Sequence, residues 1–186
     1  ISNGTPKAEI VNATTLKFIC DATTSPFGTV VASDFKLTVG TKTVYPTAVA
    51  LDAKDTTNKT LLFTVSDSDK FTAATTSVKI ETLDGTRASK DAFGQSIDGK
   101  KDVTPTGANF VNKVAAQIKA VTVAANNLVY IDFDAKIANT QETNLENALF
   151  VIQGDKTFTG PTTGTTGLTL AAIAGTDNKR YSITLD

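Results

Sequence analysis

The sequence carries one pattern of alternating apolar residues twice, and this repeat limits the chain to a tandem β architecture. Three segments recur in the same order at a shift of about 113–120 residues. Gly40 and Gly154 coincide without a gap inside the second match. The matched segments are residues 17–22 with 130–135, 35–44 with 149–158, and 58–65 with 178–185. Because order and spacing are both kept, we infer that the chain encodes the same folding unit two times.

Within each copy, the apolar residues alternate with polar ones, which is the pattern of a strand with one face on a core. Leu16, Phe18 and Cys20 alternate with Lys17 and Asp21 in the first copy, although the apolar Ile19 interrupts the polar face. Val129 and Ile131 open the corresponding run of the second copy. Short helical turns are predicted near residues 33–34, 68–73 and 144–148. Many short strands with Gly-bearing turns predict an all-β fold of two tandem immunoglobulin-like β-sandwich domains.

The repeat also predicts where the domains divide. We expect a first domain with its linker at residues 1–114 and a partial second domain at residues 115–186. No segment of the second copy matches the first copy beyond residue 65, so we expect the second domain to lack its last strands. A sandwich without them has an unpaired edge and a bare apolar face. The chain contains no Met, so we expect a piece of a longer protein that continues, or strand exchange with a second molecule.

The composition argues against several classes of function. A net charge of −1 provides no basic patch for nucleic acid, and no apolar run reaches the ~20 residues that membrane insertion needs. His is absent, which removes the usual general base at neutral pH. Cys20 is the only cysteine, so it has no internal disulfide partner and is interpreted as a buried core residue. We therefore expect no catalytic residues and no enzyme activity.

Acidic residues in loops are the candidates for a bound ion. Asp67 and Asp69 follow a predicted strand, while Asp84 and Asp91 lie in Gly-bearing loops after the next one. Calcium prefers hard oxygen ligands of this kind, so these four aspartates form a candidate calcium site. The alternative is that they are solvated turn and capping residues. Asp132 and Asp134 resemble a catalytic acid pair, but alternation places both on an outward strand face.

Three stretches resemble the tandem immunoglobulin-like domains of bacterial surface-layer (S-layer) proteins. Residues 128–137 resemble the second strand of those domains, and residues 32–37 resemble the short turn that re-enters the sheet. Residues 89–97 resemble the loop before the final strand, with Gln95 where Asn is usual. The resemblance implies an extracellular, cell-wall-associated coat that self-associates into a lattice, often with calcium.

The sequence therefore favours a structural module of a self-assembling cell-surface layer. The alternative is an adhesin or an accessory binding module of a secreted cell-surface protein or glycan-active enzyme. A third reading is an outer domain of a flagellin or hook protein, which would carry helical heptads at its ends. Assembly without a ligand supports the first reading, whereas a monomer that binds a glycan or protein supports the second.

Overall fold

The structure, a computed structural model, describes residues 4–138, 141–160 and 167–186. The chain divides into two compact units, Ile1–Val114 (unit 1) and Ala115–Asp186 (unit 2). The strands of unit 1 are β1 (Lys7–Asn12), β2 (Thr15–Ile19), β3 (Phe27–Thr29), β4 (Phe35–Val39), β5 (Lys42–Val44), β6 (Ala48–Leu51), β7 (Thr60–Thr64), β8 (Val78–Thr82), β9 (Lys90–Asp91), β10 (Asp102–Val103) and β11 (Phe110–Asn112). The strands of unit 2 are β12 (Ile118–Ala125), β13 (Leu128–Phe133), β14 (Phe150–Gln153), β15 (Lys156–Thr159), β16 (Leu168–Ala172) and β17 (Arg180–Leu185).

Helical structure is short where the structure describes it. Three 3-10 turns span Ala32–Asp34, Asp67–Asp69 and Gly107–Asn109, and the α-helix α1 spans Glu142–Ala148. The helical turns predicted near residues 33–34 and 144–148 are thereby confirmed, whereas the turn predicted at 68–73 is a 3-10 turn that spans only Asp67–Asp69. In the described part of the chain, no helix has the length and apolar character needed to cross a membrane.

Unit 1 is a sandwich of two main sheets. The first sheet has the order β11-β1-β2-β7-β6, and the second has the order β10-β8-β4-β5. The sheets pack face to face, as the edge-to-face rings of Phe35 on β4 and Phe63 on β7 show, with centroids 5.2 Å apart. The buried core is built from alternate residues of both sheets, with further residues from β3 and from the segments that follow β2 and β7: Ala8, Ile10, Leu16, Phe18, Cys20, Phe27, Phe35, Leu37, Val44, Leu61, Phe63, Val65, Phe71, Val78 and Ile80.

Unit 2 repeats the first half of this plan. Its larger sheet has the order β12-β13-β17-β16, which matches β1-β2-β7-β6, and the hairpin β14-β15 matches β4-β5. The registers also correspond, because Phe18 pairs with Leu61 in unit 1 and Ile131 pairs with Tyr181 in unit 2. The all-β, two-domain sandwich prediction is confirmed. The buried core residues of unit 2 are Val129, Ile131, Phe133, Phe158, Leu168, Tyr181, Ile183 and Leu185.

Equivalent turns use equivalent residues. Gly40 (φ 61°) closes the β4-β5 hairpin, and Gly154 (φ 60°) closes β14-β15. Asn58 (φ 52°) and Asn178 (φ 53°) enter β7 and β17 in the same left-handed region. Gly and Asn are the residues that adopt this conformation with the least steric cost. The two units therefore share individual backbone dihedral angles as well as the pattern of apolar residues. The pattern alone would not require the dihedral angles to match.

A buried polar link fixes the long loops of unit 1. Asp34 is buried, and its carboxylate accepts a hydrogen bond of 2.6 Å from the Ser89 backbone N–H. The Ser89 hydroxyl in turn accepts the Val31 N–H at 2.9 Å. Because buried polar groups are costly when unpaired, these bonds tie the 3-10 turn before β4 to the start of β9.

Candidate interaction surfaces

Two of the predicted calcium ligands lie in the 3-10 turn after β7. The Asp69 carboxylate is 2.7 Å from Lys42 Nζ and accepts a 2.8 Å hydrogen bond from the Ser66 hydroxyl. The hydrogen bond from Lys42, followed by that from Ser66, lowers the pKa of Asp69. Asp67 is largely exposed and lies 3.2 Å from Lys70 Nζ. Both carboxylates therefore already have a lysine neighbour in this structure.

Of the other two predicted ligands, Asp84 lies in the loop after β8, and Asp91 is the last residue of β9. Asp84 lies 2.8 Å from Lys100 Nζ, and the hydrogen bond from Lys100 lowers the pKa of Asp84. Asp91 Oδ1 accepts backbone N–H groups of Phe93 and Gln95, each at 2.9 Å. These bonds shape a tight turn, which is the usual task of an aspartate in such a loop.

The two pairs of aspartates lie at opposite ends of the unit 1 sandwich. Val39 pairs with Val78 and Phe35 pairs with Thr82, so the end of β8 lies beside the start of β4. Asp84 follows that end, whereas Asp69 contacts Lys42 beyond the other end of β4. In residues 4–138, 141–160 and 167–186, no three His, Cys, Asp or Glu side chains are grouped to hold a metal ion. The four aspartates thus do not meet at one point, and calcium binding stays a prediction.

The acid pair Asp132 and Asp134, at the end of β13 and directly after it, is occupied by structural contacts. Asp132 receives a two-pronged hydrogen bond from the Arg180 guanidinium, at 2.7 and 2.9 Å. Arg180 also lies over the Tyr130 ring, 5.7 Å from its centroid. Asp134 accepts the Gln117 N–H at 2.8 Å. The Arg180 contact therefore links β17 to β13, and the Gln117 contact links the residue before β12 to the end of β13. Paired groups of this kind on an outer sheet face stabilise neighbouring strands.

Two buried ionisable side chains are held in their neutral forms. Burial raises the pKa of the Cys20 thiol to about 12, so little of the reactive thiolate exists at neutral pH. Burial, then a hydrogen bond to Glu142, raises the pKa of Tyr181 to about 12. The Tyr181 hydroxyl donates to Glu142 Oε1 at 3.0 Å and so anchors α1 to β17. Cys20 lies in the core, where the sequence placed it.

Unit 1 has a shallow polar depression between the loop after β2 and the β9 loop. Its volume is about 280 Å³, and its walls include Thr23, Asp91, Gln95 and Asp98. Phe93, on the same β9 loop, is 78% exposed. Hydroxyl, amide and carboxylate groups are chemically suited to a polar ligand such as a sugar.

The outer faces of the two smaller sheets differ in chemistry. In unit 1, the Glu81 carboxylate lies 3.3 Å from Lys36 Nζ and 3.1 Å from Lys79 Nζ. The Lys79 Nζ atom also lies 3.5 Å from the Asp102 carboxylate. Burial raises the pKa of Glu81, but the hydrogen bonds from Lys79 and Lys36 outweigh it and lower the pKa overall. This charged ladder runs across β4, β8 and β10.

In unit 2, the positions of Lys36 and Thr38 are taken by Phe150 and Ile152, which are each 65% exposed. This exchange of polar for apolar residues is visible in the repeat alignment of residues 35–44 with 149–158. The outer face of β14 is therefore apolar where that of β4 is charged.

Strand β12 presents a second apolar surface in unit 2. Val121 pairs with Ile131 and Val123 pairs with Val129, whose side chains face the core. Cross-strand partners point to the same face of a sheet, so Val121 and Val123 also point to the core side. Yet they are 59% and 74% exposed. Nothing among the described residues of unit 2 covers this part of the sheet.

Comparison with protein-family models and with curated protein sequences returned no match. Solved structures do resemble the fold. The chain is structurally similar to domains of the S-layer protein SbsC.

The similar structures cover different parts of SbsC. A crystal structure of rSbsC(31–844) matches 98% of this chain with a TM-score of 0.42 and 16% identity. The N-terminal part of bacterial SbsC matches 98% of this chain with a TM-score of 0.40 and 18% identity. SbsC domains 1–6 match 70% of this chain with a TM-score of 0.41 and 17% identity. This chain spans 24%, 44% and 18% of those three solved chains, respectively.

Proposed function

We propose that this chain is a structural module of a self-assembling bacterial cell-surface layer, located outside the cell and without a catalytic role. The observation that carries the proposal is the tandem repeat, in which both units share one strand order, one register and one set of turn dihedrals. A chain of like modules offers more than one surface built on the same backbone framework, even though the outer sheet faces of the two units differ in chemistry. Many weak contacts between such surfaces add up to a lattice without any single large interface.

The surface chemistry of unit 1 supports this proposal. Its outer sheet face is a ladder of Lys and carboxylate side chains, and the net charge of the whole chain is only −1. Interspersed charges of both signs allow copies to approach each other without long-range repulsion. The individual pairs are partly exposed, so each contributes little to stability and is free to exchange partners at a lateral contact.

The test of this proposal is assembly of the purified chain. Sedimentation velocity and negative-stain electron microscopy over rising protein concentration, with and without calcium, should show multimers, sheets or tubes. Salt should weaken the assemblies, since ion pairs at exposed faces are screened. A chain that remains monomeric at all concentrations, in calcium and in chelator, would count against the proposal.

The calcium prediction has its own test. Asp67→Asn with Asp69→Asn removes one pair of carboxylates, and Asp84→Asn with Asp91→Asn removes the other. If calcium acts at one of these loops, only the matching double variant loses calcium-dependent assembly. If neither variant changes the calcium response, these four residues are not the ligands.

The adhesin or accessory binding module is the second candidate function. The observation that favours it is the polar depression of unit 1, together with the exposed ring of Phe93, which lies in the chain between Asp91 and Gln95, two residues that line the depression. A glycan array with the wild-type chain, and with Phe93→Ala as the matched variant, tests it. Glycan binding that Phe93→Ala removes, by a chain that stays monomeric, would favour this function over the coat.

A further inference from the structure

Three Asn-x-Thr motifs occur in the sequence, and they start at Asn3, Asn12 and Asn58. This motif is the acceptor sequence for N-linked glycosylation, which takes place at exposed positions of exported proteins. A motif this short arises easily by chance in a chain with many Thr residues, so the sequence alone does not select among the three. Asn3 lies outside the described residues, and the structure separates the other two motifs.

The Asn12 motif lies at the tip of the β1-β2 hairpin. Asn12 is the exposed last residue of β1, and Ala13 and Thr14 form the turn into β2. The Asn12 Oδ1 atom accepts the Thr14 N–H at 2.9 Å and the Thr14 hydroxyl at 3.3 Å. No described residue accepts a hydrogen bond from Asn12 Nδ2. The nitrogen atom to which a glycan is joined is therefore free, and the Thr14 hydroxyl is bonded only within its own motif.

The Asn58 motif has the same sequence pattern in a different setting. Asn58 is exposed, but Thr60 is the first residue of β7, which lies between β2 and β6, and only 4% of Thr60 is exposed. The Thr60 hydroxyl donates a hydrogen bond to the Asp55 carboxylate. A transferase has to recognise the hydroxyl two residues after the acceptor Asn, because the motif requires Ser or Thr there. In the folded chain, this hydroxyl is inaccessible at the Asn58 motif.

The Asn12 side chain is not needed to close its hairpin. Asn often fixes a turn through hydrogen bonds of this kind, which is the alternative role for Asn12. In unit 2, the β12-β13 hairpin closes with Ala125 paired to Leu128, as Asn12 is paired to Thr15 in unit 1. Ala125 has no side-chain acceptor, and the same two-residue turn forms. The fold of the hairpin therefore leaves the Asn12 side chain available for modification.

We propose that Asn12 is a modification site of the folded chain, at which an oligosaccharide is joined to Nδ2, and that Asn58 is not such a site. The donor is an oligosaccharide linked to a lipid pyrophosphate, and a membrane-bound transferase catalyses the step. The bond between Asn12 Nδ2 and the sugar C1 atom forms, and the bond between C1 and the pyrophosphate oxygen breaks. The lipid pyrophosphate leaves with the electron pair, and Nδ2 loses one proton, so no oxidant or reductant is needed.

The test compares each motif in the folded chain with the same motif in a peptide. The chain and peptides of residues 8–18 and 54–64 are incubated with an oligosaccharyltransferase and a lipid-pyrophosphate-linked oligosaccharide, and glycopeptides are quantified by mass spectrometry. In the folded chain, Asn12 should be modified within about 10-fold of its peptide rate, because a hairpin tip is accessible. Asn58 should be at least about 100-fold slower than in its peptide, which corresponds to about 3 kcal/mol for opening β7.

Two sets of variants control for the fold. Thr14→Ser should keep the modification of Asn12 and Thr14→Ala should remove it, while circular dichroism shows both variants to be folded. Transfer of the motif to the equivalent hairpin of unit 2, by Ala125→Asn with Asn127→Thr, should add a second glycan to the chain. A gain of modification at this position cannot result from a loss of folding at Asn12.

The inference fails if Asn12 stays unmodified, either in the folded chain or in its peptide. Modification of Asn58 in the folded chain as fast as that of Asn12 would also overturn it, since the fold would then not select between the motifs. A transferred motif that stays unmodified would show that the hairpin tip is not what makes Asn12 accessible. The inference shares with the proposed function only a location outside the cell. Assembly is measured separately, so failure here leaves the cell-surface proposal standing.

Discussion

Truncating one apolar residue at equivalent positions of the two units should have very different effects. Ile10 on β1 and Val123 on β12 occupy the same place in the repeated sheet. Ile10 is fully buried, and Val123 is 74% exposed. Ile10→Ala and Val123→Ala both remove a β-branched side chain, so the loss of intrinsic strand preference is similar in the two variants.

The magnitudes follow from burial. Ile10→Ala removes three buried carbons, at about 0.8 kcal/mol each, so the transfer contribution alone is about 2.5 kcal/mol. The cavity left in a close-packed core raises the total to about 3–4 kcal/mol. Val123→Ala removes carbons that are mostly in water already, so its cost should stay below about 1 kcal/mol.

Native-state hydrogen exchange is the suitable assay, because it reports each unit by its own amides. The free energy of opening should be read from the slowest-exchanging amides of β2 for the Ile10 variant and of β13 for the Val123 variant. A cost of 2 kcal/mol or more for Val123→Ala would refute the reasoning, since it would mean that the β12 face is covered in solution. A cost below about 1 kcal/mol for Ile10→Ala would also contradict the prediction, since it would mean that burial of Ile10 contributes little to stability.

Three further predictions concern single contacts. Asp34→Ala leaves the buried Ser89 N–H without an acceptor, so it should lower the free energy of unfolding, measured in urea, by about 1–3 kcal/mol. Asp34→Asn keeps an acceptor and should lower the free energy of unfolding by less. Equal losses for the two variants would contradict the role of this hydrogen bond. A side chain is placed at φ near 60° by Gly40→Ala and by Gly154→Ala, so each should lower the free energy of unfolding by about 1 kcal/mol in thermal unfolding. Gly85→Ala, at φ 87°, serves as a control at another position with positive φ. No loss of stability at either hairpin would contradict the argument from the backbone dihedrals. The Cys20 thiol, with its pKa raised to about 12 by burial, should react with a thiol reagent at pH 8 only in denaturant; rapid labelling of the native chain would contradict its burial.

Much of the fold could be predicted from the sequence because strand alternation and turn residues are local signals. The runs through Phe18, Leu61, Ile131 and Tyr181 form strands as predicted, and the structure pairs them in the same register in both units. The strands β1, β3, β6, β9, β11 and β16 lie outside the predicted runs. In β3, β6, β9 and β11, two to four residues are too few to show an alternating pattern. Their pairing is set by tertiary contacts, such as that of Phe27 on β3 with Asp91 on β9.

The candidate sites were harder to predict, for a physical reason. Asp69 precedes β8 and Asp84 follows it, so the length of this strand separates them and they lie at opposite ends of the sandwich. The lysines that pair with these carboxylates are far away in sequence: Lys42 pairs with Asp69, and Lys100 pairs with Asp84. By contrast, the outward Phe150 was visible in the alignment with Lys36, because strand alternation fixes which face a residue occupies.

The central claim is that one sandwich plan with one register occurs twice. Cross-strand NOEs between Hα protons and amide protons across β2-β7 and β13-β17 test it most directly. The account predicts contacts that pair Phe18 with Leu61 and Ile131 with Tyr181, together with the neighbour order β12-β13-β17-β16. A different neighbour for β13, or a shift of its register by one residue, would contradict the account.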